Sequence, residues 1–270
     1  MARPITFLSD YGTDDEFAGV CRAVIARIAP EAKVIDLTHG IPRHAVRQGA
    51  AVLAHALPFA PAGIHLAVVD PEVGTERRAV AVRAGEEDRI LVGPDNGLLW
   101  PAIDRLGGAR EAADISLSPC RLEPLSATFH GRDVFAPVAA TLAQGASLGE
   151  VGTTLPLDVL TTLESSEAQI EAGRTVAHVA YLDHYGNAVL DLGEARLPET
   201  GLRLGRRLVV EAASRSAEVV FARTFAEVGD GELLVYVDSF GSMALAVNRG
   251  SAAADLGLAV GDEVVLRPAV

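Results

Sequence analysis

Carboxylates, guanidinium groups and imidazoles recur in this chain just after short apolar runs, where a fold can present them together to a small polar reactant. The clearest case is Asp70-Pro71-Glu72-Val73-Gly74-Thr75-Glu76-Arg77-Arg78. It follows Gly63-Ile64-His65-Leu66-Ala67-Val68-Val69, a run that reads as a buried parallel strand. Asp70 therefore stands at a strand's carboxyl end, where open α/β sheets collect ligands. The turn at Gly74 brings a guanidinium back within reach of it. Such a pair can orient a small polar reactant, and it can equally be a structural ion pair.

Four further clusters carry polar chemistry. In Ser9-Asp10-Tyr11-Gly12-Thr13-Asp14-Asp15, Asp10 follows the first strand, where a carboxylate can accept both hydroxyls of a ribose or close an Asx-turn. Asp14 is expected to cap the next helix. Gly93-Pro94-Asp95-Asn96-Gly97 reads first as a turn. In Thr128-Phe129-His130-Gly131-Arg132-Asp133, the glycine beside His130 lets a ligand approach the main chain, although an isolated histidine is commonly structural. Asp183-His184-Tyr185-Gly186-Asn187 follows the first strand of the second half.

The elements that must position these groups alternate through the first half. Strands are expected at Ile5–Leu8, Val34–Leu37, Ile64–Val69, Ala79–Val82 and Ile90–Val92. Phe17, Val20, Cys21, Val24, Ile25 and Ile28 form one helical stripe with Pro30 just past its end. Further helices are expected at 46–57 and 98–106. The pattern predicts an α/β fold: an N-terminal, mostly parallel α/β sandwich domain over 1–160. The polar stretch Glu164-Ser165-Ser166-Glu167-Ala168-Gln169 reads as linker, placed at 161–174. Short β runs at 175–182, 188–192, 208–212, 219–222, 233–237, 243–247 and 264–266 then predict a smaller all-β, barrel-like domain over 175–270.

The 270 residues are 49% hydrophobic and 22% charged, a globular balance. The formal net charge is −13 and the only lysine is Lys33, so no basic run offers phosphate contacts and no nucleic-acid partner is expected. No apolar run approaches the roughly 20 residues of a membrane span, and the opening apolar stretch is too short for a secretory signal. Two cysteines, Cys21 and Cys120, cannot cage a metal by themselves and suit a reducing compartment. A cytoplasmic enzyme is the expectation.

Taken together, SDYGTDDEFAG, IDLTHGIPRH, VVDPEVGTERR, VGPDNGLL, TFHGRD, LDHYGNAVLDL and DSFGSMALAVNRGSAA resemble, in order and across nearly the whole chain, the S-adenosylmethionine hydroxide adenosyltransferase family, relatives of the fluorinases and chlorinases. The resemblance implies hydrolysis of S-adenosyl-L-methionine at C5′ to adenosine and L-methionine, with no metal or organic cofactor. It assigns the water-activating triad to Asp70, Arg77 and His130, and ribose binding to Asp10. Asp183 and Asn187, with Ser239, match residues that grip the methionine portion. Phe225 matches an aromatic beside the adenine, and the Asn248-Arg249 segment matches backbone that reads the adenine edge. The family's members are similar in forming homotrimers whose active sites lie between the N-terminal domain of one subunit and the C-terminal domain of the next.

Two positions depart from the pattern or leave a role open. Glu72 stands where the family usually has glycine, so it either carries strain at a positive φ or adds a carboxylate near Asp70 that competes for Arg77 or Arg78. His44 falls where fluorinase-like members place a tryptophan. Three rivals accompany the hydrolase reading. A halide-using transferase is disfavoured because an anionic Asp70 repels halide. A metal-dependent nucleoside hydrolase would use Asp10, Asp14 and Asp15, a loop short of the six to eight oxygens that calcium takes. A non-catalytic S-adenosylmethionine binder is the third.

Overall fold

Every residue of the first strand, β1 (Ile5–Ser9), is buried, as expected of a strand covered on both faces. The computed structural model describes residues 2–163, 168–212 and 215–269. The chain clusters into two units, Met1–Leu163 and Glu164–Val270. In the first, β1 is followed by α1 (Phe17–Ile28), β2 (Val34–Thr38), α2 (Val46–Ala56), β3 (Ile64–Val68), β4 (Ala79–Ala84), β5 (Arg89–Pro94), α3 (Trp100–Arg105), β6 (Ala109–Asp114), α4 (Ala136–Ala143) and β7 (Thr153–Thr154).

The sheet order is β2-β1-β3-β5-β4-β6-β7. Pairing is parallel from β2 to β5 and antiparallel from β5 outwards. Alternation along the central strands divides the core. Ile64, Leu66 and Val68 pack on the side of α1 and α4, while Ala67 and Val69 join the side of α2 and α3. Because β4 runs antiparallel to β5 and β5 runs parallel to β3, β4 begins at the edge where β3 ends. The intervening loop, residues 69–78, therefore stays at that edge, with Asp70 at its start and Arg77 near its finish.

Local readings fare unevenly. The expected cap at Asp14 is overturned: α1 begins at Phe17 with Glu16 in the cap position and no side-chain cap bond. Asp14 lies exposed ahead of the helix. Buried His65 is structural. Its Nδ1 meets Thr6 Oγ1 at 2.8 Å, and burial first, then Arg89, depress its pKa to about 3.

The second unit is built of β8 (Gln169–Glu171), β9 (Arg174–Leu182), β10 (Ala188–Gly193), β11 (Arg207–Ala212), β12 (Arg215–Phe221), β13 (Leu233–Val237), β14 (Ser242–Val247) and β15 (Glu263–Pro268). The order is β10-β14-β13-β12-β11-β15-β9-β8, and an additional β10–β9 pairing closes the ring of β9 to β15, leaving β8 outside it. Alternate strand residues, among them Val179, Leu190, Val210, Phe221, Val235 and Leu245, share one apolar core. Closure removes the edges that an open sheet would expose. Of the stretch read as linker, residues 164–167 lie outside the described residues, and β8 forms within its later part. No helix among the described residues is long and apolar enough to cross a membrane.

Candidate active site

At the carboxyl edge of the parallel strands, three side chains form one hydrogen-bonded row. Arg77 Nε donates to Asp70 Oδ1 at 2.9 Å, and Arg77 Nη2 donates to Asp70 Oδ2. Nη2 also reaches His130 Nδ1 at 3.1 Å. The Asp70 and Arg77 side chains are each only 6% exposed, and the guanidinium lies 5.3 Å from the centroid of the Phe135 ring. Such two-pronged pairing fixes both planes and leaves each carboxylate oxygen a further lone pair.

The same contact sets the state of His130. A guanidinium only donates, so Nδ1 must accept and the ring proton sits on Nε2. Burial, then the Arg77 charge, lower the His130 pKa, against the opposing pull of Asp70 and Asp133. At neutral pH His130 is thus a neutral imidazole that presents an Nε2–H donor. Asp133 itself is buried and spent on Arg132 and the Ser126 N–H.

The loop that carries Asp70 owes its course to Gly74, not to the residue at 72. Gly74 has φ +82°, and a Cβ there would meet the Ala127 carbonyl oxygen at 2.4 Å. Glu72 has no positive φ and its side chain is exposed, so it carries no left-handed strain. Arg77 is held by Asp70 and Arg78 by Asp95, which settles their competition without Glu72. The Asp95 cluster is a structural turn: Asn96 Nδ2 donates to the Val69 carbonyl, and Asp95 also accepts from Thr161 N.

Asp10 leaves β1 at the same edge, and its Oδ2 accepts the His44 N–H at 2.9 Å. His44 has φ +64° and, with Arg249 at +57°, is one of two left-handed non-glycine residues among those described. Both lie at positions marked by the sequence, in keeping with the tendency of backbone strain to collect at functional sites. The loop beneath Asp10 is anchored by Ser9, whose hydroxyl meets His39 Nδ1 at 2.7 Å. The Gly12 N–H, in turn, donates to the His39 carbonyl. His39 Nε2 stands 3.1 Å from Asp36 Oδ1 without the alignment of a hydrogen bond. The resulting Ser-His-Asp sequence of contacts is scaffolding, because Ser9 is fully buried.

The barrel carries the remaining candidates around a cleft of about 550 Å³. Asp183, Asn187, Phe225, Ser239 and Arg249 line it, together with Tyr181, Tyr236 and Asp238, which the sequence had not singled out. Asn248 does not line it. Its N–H, carbonyl and Nδ2 bond to Glu232, Gly231 and Val228, so within that segment Arg249 is the cleft residue.

Two matching turns build the rim. Asp183 Oδ1 accepts from Tyr185 N at 2.8 Å and Asn187 N at 2.9 Å; Asp238 Oδ1 accepts from Phe240 N at 2.8 Å and Ser242 N at 2.9 Å. Gly186 and Gly241 supply the left-handed residue at φ +79° and +81°. The readable signal was Asp-x-aromatic-Gly-polar, present twice. Only the first copy has an amide that reaches back, Asn187 Nδ2 to Asp183 Oδ2 at 2.7 Å. Burial and then the charges of Asp183 and Asp238 push Tyr236 up to about 12 and raise Tyr181 as well. The cleft therefore pairs neutral phenols with two carboxylates while the Arg249 guanidinium is paired with Asp230 at 3.0 Å, a field that favours a cationic ligand. Among the described residues, no three His, Cys, Asp or Glu side chains gather as a metal-holding group.

A charged row at an α/β sheet edge, in a chain that continues into a closed β-barrel, defines the class of protein. The model of the SAM hydroxide adenosyltransferase N-terminal domain matches residues 5–152 and that of the C-terminal domain matches residues 177–265. The chain belongs to the SAM hydroxide adenosyltransferase family. It is 47% identical to the (R)-S-adenosyl-L-methionine hydrolase of Salinispora tropica, with 96% of each chain covered. It is 40% identical to the protein of that name from Thermus thermophilus, over 98% of this chain and 99% of the other. A fluorinase of an Actinoplanes species is more distant, at 28% identity over 98% and 97%. Among solved structures, an uncharacterized conserved protein from Thermotoga maritima superposes with a TM-score of 0.90 at 35% identity, covering 97% of this chain and 99% of that one.

Proposed function

We propose that this protein hydrolyses S-adenosyl-L-methionine, water attacking C5′ of the ribose to give adenosine and L-methionine. The observation that carries the reading is the Asp70–Arg77–His130 row at the sheet edge. Asp70 accepts a hydrogen of the water and takes up its proton as the new C5′–O bond forms. Arg77 holds the carboxylate in place and favours hydroxide character at the water, and the His130 Nε2–H completes the donor set. The C5′–S bonding pair leaves with sulfur, turning a sulfonium into a neutral thioether, so the leaving group needs no proton and no cofactor. Alignment of water with the C5′–S bond contributes on the order of 7–11 kcal/mol.

Recognition is divided between the two units. Asp10 receives the ribose hydroxyls. Asp183, Asn187 and Ser239 hold the methionine portion, Phe225 lies beside the adenine, and within the Asn248-Arg249 segment the main chain at Arg249 reads its edge. The acidic field of the barrel cleft suits the sulfonium and ammonium charges of this substrate. Family resemblance extends the reading to homotrimers, in which the N-terminal unit of one subunit and the C-terminal unit of the next complete each site. Two free cysteines, Cys21 and Cys120, suit a reducing, cytoplasmic setting.

The deciding experiment is turnover of S-adenosyl-L-methionine in water labelled with heavy oxygen, with EDTA present. Label in the 5′-hydroxyl of adenosine is the expected result. Free adenine, or S-adenosylhomocysteine, would place the water at C1′ or at the methyl group and overturn the assignment. Activity abolished by EDTA and restored by calcium would turn the reading towards a metal-dependent nucleoside hydrolase.

A further inference from the structure

Tyr11, next to the ribose-side Asp10, belongs to none of the roles assigned so far. Its ring is boxed by other aromatic rings, meeting Phe7 at 6.4 Å, Phe17 at 5.9 Å and Phe129 at 5.8 Å between centroids. Those contacts hold the ring and leave the hydroxyl as its one polar atom. That hydroxyl lies against the main chain of Gly131, immediately after His130. A Cβ on Gly131 would stand 1.9 Å from Tyr11 Oη and 3.0 Å from Cζ. Glycine at 131 is thus required by the phenol, since Gly131 has no positive φ that would otherwise demand it.

The hydroxyl's surroundings point towards the reacting centre. Among the described residues it makes no hydrogen bond to protein, and it is not one of the two sealed, unpartnered side-chain atoms, His39 Nε2 and Thr175 Oγ1. It is therefore not fully sealed from solvent. Burial above all, then Cys21, Asp10 and Asp70, keep it a neutral phenol far into alkaline solution, with Arg77 opposing them. A neutral phenol is not a base here, but it can accept one hydrogen bond and donate another.

We propose that Tyr11 is a further positioning residue for the nucleophilic water, its hydroxyl accepting the hydrogen that Asp70 does not take. The inference rests on the hydrolase reading above. A water molecule has four hydrogen-bonding directions. One hydrogen goes to Asp70 and the other to Tyr11, while one lone pair accepts from His130 Nε2–H. The remaining lone pair is then the only one free to face C5′. Without the phenol, the water keeps its base but turns about the Asp70–His130 axis and spends less time in line with the breaking bond.

Tyr11→Phe tests this directly, because the ring and its aromatic contacts remain. The expected result is a kcat lower by about tenfold, the scale of one positioned hydrogen bond, with KM within about twofold and thermal midpoint nearly unchanged. Gly131→Ala in the parent chain should lower kcat further, by displacing the phenol. In the Tyr11→Phe background the same alanine should cost less, since the nearest remaining atom is Cζ. A Tyr11→Phe enzyme with unchanged kcat would overturn the inference while leaving the hydrolase reading intact. So would a fall in kcat that tracks lost thermal stability, or an alanine penalty equal in both backgrounds. Absence of adenosine formation by the parent chain would remove the hydrolase reading and this inference with it.

Discussion

The sheet edge of the N-terminal unit and the cleft of the barrel both present carboxylates, but they hold them differently. At the sheet edge, Asp70 is held by the side chain of Arg77, which in turn touches His130. In the barrel, Asp183 and Asp238 are held mainly by the main-chain N–H groups of their own turns. A carboxylate held by a guanidinium stays ionised and keeps free lone pairs, so it can accept from a water molecule, as Asp70 can beside Arg77 and His130. A carboxylate fixed by its own backbone is a rigid acceptor, suited to recognition. Under the proposed function, the first arrangement serves reaction and the second serves grip.

The most forceful way to break that division is Asp70→Ala. Under the proposed mechanism, its loss should lower kcat by at least about a hundredfold, with a smaller effect on S-adenosyl-L-methionine affinity measured by calorimetry. A near-normal kcat would remove Asp70 from the chemistry. Asp183→Ala should act in the opposite sense, raising KM by about tenfold while kcat falls less, because the turn loses its acceptor for two N–H groups and for Asn187 Nδ2. A pure kcat defect there would erase the distinction between the regions.

Gly74→Ala should perturb only the reaction side. A left-handed alanine with its Cβ against the Ala127 carbonyl costs about 1–3 kcal/mol, read as a lower unfolding midpoint together with a lower kcat. Unchanged kcat would mean that the loop's course does not govern Asp70.

The pH profile gives the finest resolution. Burial and Arg77 lower the His130 pKa beneath the ordinary 6.5, so the neutral form persists below that pH. Activity that needs neutral His130 is then full above 6.5 and lost only as pH falls through the depressed value. Removing the cation by Arg77→Met should move this acid limb upward in whatever activity remains, whereas Asp183→Ala should leave it in place. A limb unmoved by Arg77→Met would mean that the guanidinium does not set the imidazole's state.

Legibility in the sequence followed periodicity. The β runs of the second half stood out because alternation of inward and outward residues survives in a barrel. The segment Gly131–Ala143 did not, although it forms a π-helical turn leading into α4. All but Thr141 of α4's residues are buried, so no amphipathic stripe marks it. The helix start was misplaced at Asp14 because a cap-forming residue type says only what could bond, and the chain turned into α1 at Glu16 instead. Tyr181, Tyr236 and Asp238 were passed over because each looks like an ordinary strand-end residue until barrel closure gathers them around one cleft.

By itself, the sequence determined which residue types stood at strand ends, the alternation of strands and helices and the run of β segments, because these depend on local periodicity and turn chemistry. Family membership was likewise legible from ordered motifs. Only the tertiary structure decided that β4 returns antiparallel, so that Arg77 meets Asp70, and that His130 reaches the same guanidinium from 53 positions further along the chain. It also decided that Glu72 takes no left-handed φ and that Gly131 makes room for Tyr11. Those outcomes depend on which distant backbones come within a few ångströms of one another, a property of packing that no local pattern encodes.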